Sequence, residues 1–447
     1  MNKNEKTTLK QYDSCSNTDE LISRYQTIRQ KTLDICQSLE IEDMVVQPAA
    51  FVSPPKWHLA HTTWFFVNFL LHRFGVDYSW PEDNYPQLFN SYYKSQGKHW
   101  EQGKRGDLSR PTVKQIIRFR QDVDDAMVHW LSTYNGDIPI EVQRLVRLGL
   151  EHEQQHQELL LMDIKYILWS NPGKPAYFAS KKGEHLSLPN DIRQNTSPTW
   201  SSEGGLKEFG INADDHDFCF DNETPKHKAY LQPYSMCHYT VSNAAFSQFI
   251  ADGAYQESSL WLSEGWDFIN QNHITSPLYW SSIQGEWFEY TLNGMSELCQ
   301  DSPVAHVSFH EAYAYARWAK KRLPTEFEWE NYANHASSPP KTLGDLPGGM
   351  FLENNLAYSN YPDGPERFVN VNGGLWEWTS STYSPYPGYE STRDAFGEYN
   401  GKFMINQMVL KGGCFATPQS HYRSSYRNFY QATQRWPFTG IRLAENV

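Results

Sequence analysis

Residues 141–169 read EVQRLVRLGLEHEQQHQELLLMDIKYILW. Their apolar positions return every three or four residues, which predicts one long helix from about Ile138 to Trp169. Three upstream segments share that period. Thr18–Leu39 carries Leu21, Ile22, Tyr25, Ile28, Leu33, Ile35 and Cys36; WHLAHTTWFFVNFLLHRF (57–74) follows the break at Ser53-Pro54-Pro55; VKQIIRFRQDVDDAMVHWLSTY (113–134) follows Arg110-Pro111. Four long helices with one excursion over residues 75–111 predict an up-and-down four-helix bundle whose core can hold a site.

Outside this block the texture changes. Residues 1–17 are polar and are expected to be mobile. After Trp169 the chain turns rich in Pro, Ser, Gly and Asn, so 173–203 reads as a connection. Beyond Gly204 the segments are short, aromatic and broken by Gly and Pro, with one clear helix in HEAYAYARWAKKR (310–322). The expected organisation is an all-α domain over 18–172 and an α+β domain over 204–447. The 447 residues, at roughly 100–200 per domain, allow that division.

Composition excludes several classes. Aromatic residues make up 15 %, which a disordered chain would not carry. A net charge of −13 argues against a dedicated nucleic-acid binder, which needs a basic surface. The N-terminus lacks the apolar core of a signal peptide, and no run approaches the roughly 18–20 apolar residues of a spanning helix. The six cysteines are scattered, without a CxxC pair, and read as reduced thiols. A soluble, cytoplasmic, multidomain protein without membrane or nucleic-acid partners is the expectation.

His152 and His156, spaced i,i+4, share one helix face about a turn apart, a spacing that suits two ligands of one metal. Gln155 points to nearly the same side. The competing reading is an exposed pair, because Glu151, Glu153, Gln154 and Gln157 are neighbours. A second helix offers His58 and His61, of which the i,i+3 spacing lets only one face the bundle axis. Three neutral imidazoles favour a late first-row divalent ion and leave positions open for substrates.

SPPKWHLAHTTWFF (53–66), LFNSYYKSQG (88–97), RGDLSRPT (105–112) and HEQQHQELLLMD (152–163) resemble the DinB-like half of the ergothioneine sulfoxide synthases, which are non-haem iron enzymes. FCFDNETPKH (218–227), VSN (241–243), SPVAHVSFHEAYAYARWAKKRLPTEFEWE (302–330), VNGGLWEWTSS (371–381) and GIRLA (440–444) resemble the formylglycine-generating-enzyme fold, a C-type-lectin-like α+β architecture. The resemblance implies Fe(II) on His61, His152 and His156, with His58 as a structural neighbour. It implies joining a thiol sulfur to imidazole C2 of hercynine with O2, the donor being cysteine or, second, γ-glutamylcysteine.

It also implies site residues. Gln155 and Asn428 would hold hercynine, and Phe429, with Tyr430, would face its trimethylammonium. Tyr92 or Tyr93 would be the proton donor, Tyr383, Tyr386 and Tyr389 being alternatives from the second domain. Arg105, Arg110 and Arg427 are candidates for the donor's carboxylate, each with an interdomain ion pair as the alternative. The chain departs from the pattern at Val67, where an acidic residue is expected. GGCFATPQSHYRSSYRNFY (412–430) offers only Cys414, so the second domain is not expected to generate formylglycine. Rival readings are a selenosugar-using selenoneine synthase and a non-catalytic metal- or ligand-binding module.

Overall fold

The computed structural model describes residues 18–93, 96–134, 136, 138–178, 199–213, 218–335, 350–353, 372–391 and 400–447. The N-terminal 17 residues expected to be mobile, and 179–198 of the expected connection, lie outside them. The first half is a helical bundle: α1 (Thr18–Cys36), α2 (Pro55–Phe66), the short α3 (Tyr85–Leu88), α4 (Val113–Ser132) and α5 (Ile140–Ser170). Helices α1 and α2 each pack on both α4 and α5, which makes four long helices around one core. Thr112 caps α4 in a capping box with Gln115, which explains why that helix starts directly after Pro111. Helix α2 does not run on to Phe74 as expected; Val67–Leu71 forms a π turn.

Gly149 sets how closely α2 and α5 approach. A Cβ there would lie 2.7 Å from the Phe66 ring, so only glycine lets the two histidine-bearing helices meet at this depth.

The second half is α+β. Its strands are β1 (Thr199–Ser202), β2 (Gly205–Phe209), β3 (His227–Leu231), β4 (Tyr234–Thr240), β5 (Trp280–Ile283), β6 (Glu286–Thr291), β7 (Gly294–Glu297), β8 (Trp376–Thr382), β9 (Met408–Lys411), β10 (Asn428–Tyr430), β11 (Thr439–Gly440) and β12 (Arg442–Asn446). They form sheets ordered β1-β4-β12, β10-β9-β8-β11, β2-β3 and β5-β6-β7, with β11 on β8 the one parallel pairing among the described strands. The expected helix is Phe309–Trp318. Asn243–Ala251, Ser263–Gln271 and Glu326–His335 are helical too.

One apolar core runs through both halves. Across it α5 is tied to the second domain by polar contacts. Trp376 Nε1 donates to Glu158 at 2.8 Å, His421 Nδ1 lies 2.6 Å from Glu151, and Gln154 Nε2 donates to Ser420 at 2.7 Å. Among the described residues no helix is long and apolar enough to cross a membrane.

Candidate metal centre

The α2 and α5 faces that meet at Gly149 bring His61, His152 and His156 together, with their ligand nitrogens all within 4.8 Å of one another. All three are buried. Burial pushes each imidazole's pKa down, and neighbouring imidazoles push His61 and His156 lower still; His152 falls to about 3 despite the opposing Glu153 carboxylate. Three neutral rings with lone pairs are the state that binds a metal.

Their outer contacts suit the same purpose. His61 Nδ1 lies 2.6 Å from Phe89 O, an acceptor, which leaves Nε2 for a ligand. His156 Nδ1 lies 2.8 Å from His58 Nδ1, and His58 Nε2 lies 2.9 Å from Asp163 Oδ2. With Nδ1–H of His156 donating to His58, and Nε2–H of His58 donating to Asp163, a carboxylate–imidazole relay fixes His156 with Nε2 forward. The i,i+3 pair of the sequence is thus divided: His61 joins the cluster and His58 stands behind it. The donor set fits a late first-row divalent ion. As an expected result, Asp163→Ala weakens metal affinity by about 10–100-fold, read by chelator competition on the folded protein. Unchanged affinity would remove the relay.

The polar neighbours in HEQQHQE are not a solvent face. Glu151, Glu153, Gln154, Gln157 and Glu158 are all buried, which corrects the exposed-pair alternative. Glu153 is gripped by Arg29 at 2.8 Å, Arg120 at 2.5 Å and Thr32 at 2.6 Å. Burial alone would raise its carboxyl; Arg120 and Arg29 overrule that and hold it at about 2.

A cavity of about 200 Å³ takes Gln155 and Leu159 from α5, three residues on from His152 and His156, and Asn428, Phe429 and Tyr430 from β10, with Tyr92 at its edge. Gln155 Nε2 donates to Tyr426 Oη at 2.6 Å. Tyr92 stacks on the fully buried Tyr93 at 4.7 Å, and Tyr93 packs on Trp64, Phe65 and Phe69. Tyr383 lies behind the cavity wall, stacked on Phe429 at 4.1 Å, while Tyr386 and Tyr389 bond to Glu326 and Asp221.

The three arginines part company. Arg105 is buried, lies 3.3 Å from the centre of the Trp57 ring and donates to Ser53 Oγ; Trp57 in turn stacks on His61 at 4.6 Å. Arg110 is exposed and donates to Ser109 O. Arg427 lines the cavity, but its guanidinium is taken up by Glu326, Asn222 O and Ser384 O within its own domain. None of the three makes an interdomain ion pair among the contacts described. That contact is Glu151 with His421 and Arg423, which local sequence could not reveal because its partners lie some 270 positions apart. Asp163, at the end of a motif noted for its histidines, and Phe403, in the cavity wall, also escaped the sequence reading. Cys414 is fully buried, with its thiol pKa pushed well up by burial and by Glu158, so it is no reactive thiolate.

A family model described as the DinB superfamily matches residues 24–160, and one described as the sulfatase-modifying factor enzyme 1-like domain matches 187–447. The chain is 30 % identical over 314 residues to a hercynine oxygenase of Mycobacterium tuberculosis, covering 67 % of this chain and 70 % of the relative. It is 29 % identical over 325 residues to that of Mycolicibacterium smegmatis, covering 67 % and 71 %. A formylglycine-generating enzyme of Streptomyces coelicolor is 29 % identical over 248 residues, covering 48 % of this chain and 76 % of the relative.

Proposed function

The chain belongs to the hercynine oxygenase family, and on that premise we propose that it is an Fe(II)- and O2-dependent sulfoxide synthase of ergothioneine biosynthesis. It joins the sulfur of a thiol, cysteine first and γ-glutamylcysteine second, to imidazole C2 of hercynine. The reaction balances: the C2–H and S–H bonds and one O2 give one C–S bond, one sulfoxide oxygen and one water. The observation that carries the reading is the buried three-histidine cluster beside a cavity walled by Gln155, Asn428 and Phe429.

Iron(II) in that cluster would supply the redox centre for O2 and hold the donor sulfur as a thiolate. The protein's own groups do the rest. Gln155, fixed by its bond to Tyr426, orients the hercynine imidazole. Asn428 meets its carboxylate, and the Phe429 and Tyr430 rings face the trimethylammonium. Of the three candidate arginines, Arg105 has a buried Nε without a hydrogen-bond acceptor. Burial holds its pKa down, and a donor carboxylate would offset that desolvation. Arg427, already bonded to Glu326, is left out of the binding set.

Tyr92 or Tyr93 delivers the proton that steers O2 to C–S coupling instead of oxidation of the thiol alone, RSH plus O2 giving RSO2H. Tyr92→Phe or Tyr93→Phe is expected to lower the sulfoxide-to-sulfinate ratio about 10²-fold or more, within the range of a lost general acid. Unchanged ratios in both, by mass spectrometry, would return the role to Tyr383, Tyr386 or Tyr389.

The test of the function is anaerobic loading with Fe(II), then O2 with hercynine and cysteine, γ-glutamylcysteine or a selenosugar in parallel. A hercynyl sulfoxide from one thiol is the expected product. A selenium adduct would move the chain to the selenoneine reading, and no product from any donor despite bound iron would leave the binding module.

A further inference from the structure

Tyr92 and Tyr93 belong to the excursion between α2 and α4, yet part of what holds them comes from the other domain. On the bundle side Asn90 brackets Tyr93, accepting from its N–H at 3.1 Å and donating to its carbonyl at 3.0 Å. On the far side Lys402 Nζ donates to Tyr92 O at 3.0 Å, across 310 residues of sequence. The same ammonium stands 4.0 Å from the centre of the Tyr92 ring and 5.8 Å from that of Tyr93.

The neighbouring Phe403 meets Tyr92 edge-on at 5.4 Å and lies against Phe429 at 5.8 Å. Residue 400 anchors this turn to its own domain: Asn400 Nδ2 donates to Asp221 at 2.9 Å, and Tyr389 donates to the other oxygen of the same carboxylate at 2.7 Å. The tyrosine pair is therefore gripped from both domains, and the second grip continues into the wall expected to face the trimethylammonium.

We infer that Lys402 is a positioning residue for the tyrosine pair, a cation from the second domain that seats Tyr92, and through its stacking Tyr93, at the edge of the cavity. The inference rests on the reading of that pair as the proton donor. An ammonium attracts the face of a phenol ring and its backbone bond fixes where that face lies, so one side chain sets both position and tilt. Because Lys402 is exposed, the contact is a modest one, and its loss is expected to change the product ratio about two- to fivefold. That is far less than removing a phenol.

Lys402→Met keeps the length and removes the charge, while Lys402→Arg keeps a cation and a donor. In the metal-free protein, hydrogen–deuterium exchange of a peptide ending at Tyr93 is expected to speed up in Lys402→Met and to recover in Lys402→Arg, with Tm unchanged. In the Fe(II)-loaded protein the sulfoxide-to-sulfinate ratio is expected to fall two- to fivefold in Lys402→Met and to recover in Lys402→Arg. Unchanged exchange overturns the inference. So does faster exchange with an unchanged ratio when Tyr92→Phe or Tyr93→Phe moves it. A raised KM for the thiol with the ratio intact would make Lys402 a substrate contact instead. If neither Tyr→Phe variant moves the ratio, the tyrosine reading is what fails.

Discussion

His152→Ala is expected to abolish turnover and to cost more metal affinity than the roughly 10–100-fold typical of losing an outer-shell partner. The three rings form a near-equilateral triangle in which the imidazole lies 4.9 Å from His61 and 4.7 Å from His156, with 4.8 Å between those two, and it packs against Phe65. With burial holding its pKa at about 3, it offers a lone pair throughout the working pH range. Its loss leaves two ligands on different helices that no longer enclose an ion. Metal content after anaerobic loading, with near-ultraviolet circular dichroism to show the second domain still folded, separates loss of the site from loss of the protein. Retained metal and turnover would take His152 out of the ligand set.

The second large effect falls on stability. Glu153→Ala is expected to destabilise the bundle by about 3–5 kcal/mol, because removing one partner strands buried opposite charges. Arg29 and Arg120 are both almost fully buried and both bond to Glu153, and Arg120 has no other carboxylate partner among the described contacts. Arg29 keeps Asp124 at 2.6 Å and Thr63 at 3.0 Å, so it loses less than Arg120, which keeps Thr62 and the Arg29 carbonyl. For a domain of this size the penalty corresponds to a fall of roughly 6–20 °C in Tm.

Glu153 also gives a pH signature of known sign. Its folded pKa of about 2 lies below the unfolded carboxyl value, so the native state binds fewer protons. The stabilisation is complete above about pH 4.5 and is lost as pH falls towards 2. Glu153→Gln should flatten the wild-type decline in stability across that window, measured by urea unfolding at stepped pH. An unchanged slope would mean that the network does not depend on this charge.

Both predictions concern HEQQH, and they mark how far that stretch can be read by eye. The i,i+4 geometry of His152 and His156 follows from 3.6 residues per turn and needs no partner. Glu153 between them reads as polar and exposed. It is buried because Arg29 and Arg120, on α1 and α4, reach it across the bundle, and no local pattern encodes a counter-charge 124 or 33 positions away. Arg427 shows the same limit in reverse. Its guanidinium made it a candidate for the donor's carboxylate, and only the packing of Glu326 against it reveals an ion pair internal to the domain.

The amino-acid sequence by itself determined what depends on near neighbours: the periods of the four long helices, the paired histidines on one face, and the change of texture from bundle to α+β. The tertiary structure decided what depends on distant ones. It chose His61 over His58 for the cluster, buried the acidic neighbours, divided the arginines and brought Lys402 onto Tyr92. The physical reason is that backbone geometry orients a side chain relative to its own helix, whereas burial and charge compensation are set by whichever elements pack against that helix.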